Sequence, residues 1–162
     1  MTLLIPDEHK EENLKLSADP YVDLFEIKLL NGTRLFFKTG DQVEWNGNTW
    51  ESLPIIFNGY EINSDEKVSR PTLQVVNPEG VFSRIVLDGD LDKAKLYRYR
   101  VLRRDIDLDR PVYQTNMWII WMATTINTNF IIFELRNPMD GNNFITPSRQ
   151  YYPPEFPTVT FR

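Results

Sequence analysis

The sequence predicts a mainly β fold of the α+β kind, with one or two short helices, and three observations carry that reading. Apolar residues alternate with period two in several separate runs. Asn-Gly pairs stand between such runs, at Asn31-Gly32 and Asn46-Gly47, where both residue types accept a positive φ. After Pro20 the helical period almost disappears.

Taken in order, residues 7 to 16 read as a short amphipathic helix, with Asp7 as its cap, Glu8 in the positive first turn, and Leu14 and Leu16 closing it. Ser17-Ala18-Asp19-Pro20 breaks the chain. Val22, Leu24, Glu26 and Lys28 then alternate with Phe25, Ile27 and Leu29, which gives a strand with an apolar odd face. Asn31-Gly32 turns it back into Leu35-Phe36-Phe37 as a type I′ hairpin. Asn31-Gly32-Thr33 also has the form of a glycosylation acceptor, but the turn takes precedence with no secretion signal ahead of it.

A second hairpin runs from Val43-Glu44-Trp45 through Asn46-Gly47 to Asn48-Thr49-Trp50. Its two tryptophans form either a stacking platform for a sugar or base, or a cross-strand pair that stabilises the hairpin; the pair is the preferred reading. Residues 54–57, the Asn58-Gly59 pair and residues 60–62 make a strand-turn-strand passage, and 63–69 a polar loop.

The stretch from Ser69 through Arg70, Pro71, Asn77 and Pro78 to Gly80 organises the rest of the chain. Pro71 suits the first residue of a strand, Leu73 and Val75 share one face, and Asn77-Pro78 ends the strand. Val81, Phe82, Ile85 and Val86 then fall at helical spacing. Asp88, Asp90 and Asp92, and later Asp105, Asp107 and Asp109, suggest calcium. An EF-hand needs Gly at position six and Glu at twelve, and neither run has them, so both read as solvated turns.

Residues 95–102 form a strand with Tyr97, Tyr99 and Val101 on one face and Arg98 and Arg100 on the other; Arg103 and Arg104 extend the basic run. The aspartates just beyond it offset its field, so it reads as a solvated face or a subunit contact. Residues 117–123, with Trp118 and Trp121, are the most apolar run and form a fully buried or an interface strand. Phe130 to Arg136 is its partner, ended by Asn137-Pro138. From Pro138 the chain is too rich in proline for a long element. It divides into a domain over 1–149 and an arm over 150–162, containing Tyr151 and Tyr152, that is either laid across a neighbour or loosely ordered.

Composition bounds the function. The 162 residues suit one domain, or two small lobes sharing a core. The absence of cysteine excludes disulfides and thiolate metal ligation, and His9 as the one histidine leaves little for a zinc site or a histidine triad. A net charge of -5 argues against specific nucleic-acid binding. No apolar run approaches the ~18 residues of a membrane span, and Met1 to Pro6 is too short for a signal-peptide core. The expectation is a soluble chain folded in a cytoplasm, without cofactor.

The order of motifs resembles a known family. A short N-terminal helix leads into the Leu24-Phe25-Glu26-Ile27-Lys28-Leu29 strand. Then come Trp45-x-Gly47-x-x-Trp50, Gly59-x-Glu61 and Ser69-Arg70-Pro71-x-Leu73-x-Val75-x-Asn77-x-x-Gly80. The basic strand around Arg98 to Arg104 is next, then Phe133-x-Leu135-x-x-Pro138-x-Asp140 and Pro147-x-Arg149. Over about residues 3 to 149 this is similar to the N-terminal domain of the minor tail protein L family, the tail-tip proteins of long-tailed phages such as lambda. The Ser-Arg-Pro stretch is the most specific part.

The resemblance implies a fold of the tail-hub type, an antiparallel β-barrel or sandwich. It implies a virion structural protein of the tail tip, or baseplate, made and folded in the bacterial host cytoplasm. It further implies a homo-oligomeric ring between the distal tail protein and the hub or fibre protein, with the tape-measure protein a further candidate neighbour, no membrane, and DNA passing nearby. Family members continue into a cysteine-bearing domain that holds an iron–sulfur cluster; this sequence has no cysteine, so the cluster is not carried over. The candidate interface is Arg98, Arg100, Arg103, Arg104, Trp118, Trp121, Tyr151 and Tyr152. An enzyme is not expected, since no nucleophile–base pair stands out. The competing function is a small carbohydrate- or cell-surface-binding module, which four Trp and seven Tyr suggest.

Overall fold

The structure, a computed structural model, describes residues 5–59, 61–62, 68–77 and 80–140. A helix α1 (Asp7–Glu12) precedes β1 (Tyr21–Lys28), β2 (Arg34–Lys38), β3 (Val43–Trp45), β4 (Asn48–Ser52) and β5 (Ile55–Asn58). Two short strands, β6 (Glu61–Ile62) and β7 (Val68–Ser69), lead to β8 (Thr72–Val76) and α2 (Val81–Leu87). The remainder is β9 (Lys95–Leu102), α3 (Arg103–Asp107), β10 (Gln114–Ile126), β11 (Phe130–Arg136) and a 3-10 turn at Pro138–Asp140. The mainly β expectation holds.

Nine strands form one sheet in the order β3-β4-β2-β1-β9-β10-β11-β8-β5. Every pair is antiparallel except β2–β4, which is parallel, so the sheet is mixed and its ladder open, not an all-antiparallel closed barrel. Pro54 accounts for the opening. The Leu53 N–H bonds to Lys38 O of β2 at 2.8 Å, and one residue later Pro54 O accepts Val76 N–H of β8 at 3.2 Å. Proline has no N–H to continue toward β2, so the chain changes partners there. The sheet nonetheless curls on itself. Phe57 of β5 meets Phe25 of β1 at 6.2 Å and Trp118 of β10 at 4.8 Å between ring centroids.

The inner face is the main core. Phe25, Ile27, Leu73, Val75, Leu96, Ile120, Ile131, Phe133 and Leu135 are buried there, with Ile85 and Val86 of α2 packed against them. The alternation that predicted β8 is realised, with Leu73 and Val75 buried and their neighbours half-buried. A second core lies on the outer face of β1 and β9, where the β3–β4 hairpin folds over Leu24, Val101 and Ile106.

Several expectations are corrected. The first helix ends at Glu12, not at residue 16, and Leu14 and Leu16 are exposed. Pro6, not Asp7, is its N-cap. The Glu12 carboxylate explains the early end: it accepts the Asp19 backbone N–H at 3.0 Å and the Lys15 ammonium at 2.8 Å, which folds the intervening residues back. The Asn31-Gly32 hairpin forms, but only Gly32 has a positive φ. Gly32 N–H bonds Leu29 O at 3.1 Å and Leu29 N–H bonds Thr33 O at 2.9 Å, a three-residue loop with a bulge instead of a type I′ turn. At Asn46-Gly47 both φ are positive, 51° and 71°, and the type I′ hairpin is as expected. Asn58-Gly59 is not a turn. Ile55 faces Val75, Asn58 faces Thr72 and Glu61 faces Ser69, so the β5–β8 and β6–β7 pairs share one register.

Candidate functional site

The Ser69–Gly80 stretch is structural. Pro71 is buried, and its carbonyl accepts Leu135 N–H at 2.9 Å from the neighbouring β11. Arg70 pairs with Glu134, also of β11. Asn77, buried where β8 ends, donates its side-chain amide to Ser83 Oγ at 2.7 Å and to Asn127 O at 3.1 Å, while its backbone N–H bonds Asn129 O at 2.9 Å. It thereby ties the end of β8 to α2 and to the β10–β11 turn. Gly80, with φ 73°, provides the left-handed residue that starts α2. Ser69 lies in β7 beside Glu61, and Pro138 opens the 3-10 turn after β11.

Trp45 and Trp50 are both 2% exposed and form no stacking platform. Their rings lie 6.0 Å apart, and Trp45 also meets the Tyr113 ring edge-on at 5.6 Å. Each indole N–H is satisfied, Trp45 by Arg110 O at 3.1 Å and Trp50 by Trp45 O at 3.2 Å. Gly47 serves the turn between them. Trp118 is likewise a core residue against Phe57 and not a surface anchor, which corrects its place in the candidate interface. Three of the four tryptophans are thus buried and serve the cores. Trp121 is different: it is half-exposed, and Arg136 stacks over its ring at 3.4 Å. β10 shifts register beside it, between Ile120 and Met122, so the run from 117 to 123 is not fully buried; Met122 is exposed next to Trp121.

The basic run does not present a free cationic face. Arg98 and Arg100 both reach Asp23, at 2.6 and 3.3 Å. Arg103 and Arg104 start α3, a helix the strand pattern hid, and pair with Asp107 at 3.3 Å and with Glu12 at 2.8 Å. Asp105, expected in a solvated turn, is fully buried, with Arg110 at 3.3 Å. Arg110 also reaches Glu8 at 3.0 Å, so the α3 region clamps α1 through charge. The hydrogen bond from Lys15, the Asp19 N–H and the Arg104 charge hold the Glu12 carboxyl down at about 2. His9 is buried edge-on to Tyr21 at 5.4 Å. Burial pushes its pKa down, against the opposing charges of Asp105 and Glu8. On the outer face, burial, and then the hydrogen bond to Glu26 at 2.7 Å, push the Tyr99 hydroxyl up. No group of three metal-ligating side chains is found among the described residues. Tyr151 and Tyr152, and the whole 150–162 arm, lie outside the described residues.

A cleft of about 520 Å³ runs along the open seam between β5 and the ends of β1 and β2. Phe57, Lys38, Arg98 and Asp23 line it. Sequence reasoning missed Lys38 and Asp23. The available signal was a charge interrupting an apolar run, Asp23 before Leu24-Phe25 and Lys38 after Phe36-Phe37.

The comparisons with known proteins agree with this architecture. The family described as phage minor tail protein L matches over residues 29–155, from the end of β1 past β11. The tail tip protein L of Escherichia phage lambda is 26% identical over 163 aligned residues, covering 90% of this chain and 70% of that protein. A chain in the virion of a native gene transfer agent particle superposes with a TM-score of 0.63 at 14% identity. That match covers 91% of this chain and about half, 50%, of the other, and shows a shared fold. The chain therefore belongs to the phage minor tail protein L family.

Proposed function

We propose that this chain is a structural subunit of the phage tail tip, a homo-oligomeric ring that joins the distal end of the tail tube to the central hub or fibre protein. It acts by assembly and not by catalysis. The observation that carries the reading is the extent of the family match, which takes in eight of the nine strands of the main sheet. The relative in lambda is named a tail tip protein, and the fold recurs in another virion particle. Rings need heterologous surfaces that close on themselves. The exposed β10 face around Trp121 and Met122, with Arg136 beside it, is an apolar and cationic surface suited to such a contact. Neighbours would be the distal tail protein, the hub or fibre protein and the tape-measure protein, and the acidic net charge suits a ring through which DNA passes without adhering. The test is genetic. Phage unable to make this chain should fill heads but yield no complete tails, and supplying the chain in trans should restore them. Normal infectious virions without it would reject the proposal.

A further inference from the structure

We propose that the open seam is a docking groove for an extended, acidic segment of another tail protein, which adds beside β5 and sets a carboxylate against Lys38 and Arg98. This rests on the reading of the chain as an assembly component.

The backbone supplies the first part. β5 is the last strand of the sheet. Pro54, Ile56 and Asn58 turn their main-chain groups toward β8, so Ile55 and Phe57 turn theirs toward the seam. Ile55 is held there by the Thr39 hydroxyl, which donates to its carbonyl at 3.2 Å and accepts its N–H at 3.3 Å. Two residues on, the N–H and C=O of Phe57 meet no main-chain partner among the described residues. A strand edge of this kind is what an added peptide strand pairs with.

Charge supplies the second part. Lys38 is 4% exposed, and among the described residues its ammonium bonds the carbonyls of Thr39 at 3.3 Å and Asp41 at 2.7 Å and no other group. No carboxylate lies within ion-pair distance of it among the described residues. Buried cations are ordinarily paired. Arg98, also lining the cleft, lies over the Phe57 ring at 5.0 Å, gives one nitrogen to Asp23, and has no hydrogen-bond partner for its buried Nε among the described residues. Asp23 is already shared with Arg100. Two carboxylates line the cleft, Asp23 and Asp41, against three cations, Lys38, Arg98 and Arg103; the cations are in excess, and an incoming Asp or Glu supplies the acceptor. Alternate side chains of an added strand point to opposite faces, so one acidic residue can face the cations while the main chain pairs with Phe57.

Hydrogen exchange at the Phe57 amide, compared between the isolated chain and purified tails, tests the proposal. It predicts protection at least about tenfold greater in tails, and Lys38→Met tails depleted of the chain by about tenfold while the isolated variant keeps its melting curve. If Lys38→Met fails to fold, the exchange comparison on the unaltered protein decides alone. A zero-length carbodiimide crosslink in purified tails should join Lys38 to an Asp or Glu of a different protein; a crosslink to this chain's own sequence would overturn that occupant. Equal exchange in both states would overturn the groove. Absence of the chain from virions would instead overturn the tail-tip reading itself.

Discussion

The two cores share β1 and β9 but are held in different ways. The inner one is aliphatic and aromatic mixed, spread across β1, β2, β5, β8, β9, β10 and β11, and made of residues that follow one another at period two. The outer one is a small aromatic cluster under the β3–β4 hairpin. There each Trp side chain is oriented by a hydrogen bond, and a layer of ion pairs from α1 and α3 surrounds it. The inner core depends on summed burial, whereas the outer core depends on a few directional contacts. Loss of a side chain from the first should weaken the whole sheet; loss from the second should loosen the hairpin and the terminal helix first.

The largest effect is expected in the inner core. Phe133→Ala should cost about 3–5 kcal/mol in urea unfolding, because Phe133 is buried and its removal leaves a cavity. Amide protection should fall across the sheet together. Trp45→Phe should cost about 1–3 kcal/mol by leaving the Arg110 carbonyl without its donor. Exchange should rise first in β3 and β4, and a uniform rise would erase the contrast between the cores.

A smaller effect belongs to the charged layer around α1. His9 has a lowered pKa when folded, so the unfolded chain binds its proton first as pH falls through 6.5, its ordinary value. Stability should therefore decline from pH 7 to pH 5, and His9→Gln should flatten that part of the profile in thermal melts. Glu12 has the carboxylate sign: its stabilisation is complete above its ordinary 4.5 and is lost as pH falls toward about 2. The smallest effect is Arg70→Ala, about 0.2–1 kcal/mol, since Arg70 is half-exposed and its pair with Glu134 is screened. A larger loss in tail assembly than in stability would show that the Arg70 side chain serves a contact between subunits.

Legibility in the sequence divides along the same line. Leu73 and Val75 of β8, and Ile131, Phe133 and Leu135 of β11, announce themselves because a strand face repeats every second residue. Asn46-Gly47 announces its turn because few other pairs accept two positive φ values. Asp105 did not, since an aspartate after Arg103 and Arg104 looks solvated until Arg110 and the buried His9 are brought to it by the fold. Trp118 and Trp121 are three residues apart, so alternation alone puts them on opposite faces; what the sequence hides is the register shift after Ile120, which leaves Met122 exposed beside Trp121. The seam was hidden for a similar reason. Pro54 reads as a simple break, and its effect of sending β5 to β8 depends on which strands lie on either side.

Gold-labelled antibody against this chain, applied to purified tailed virions under an electron microscope, tests the central claim most directly. A tail-tip subunit predicts label confined to the distal end of the tail. Label along the tail tube or on the head, or virions whose proteins include no peptide of this chain by mass spectrometry, would contradict it.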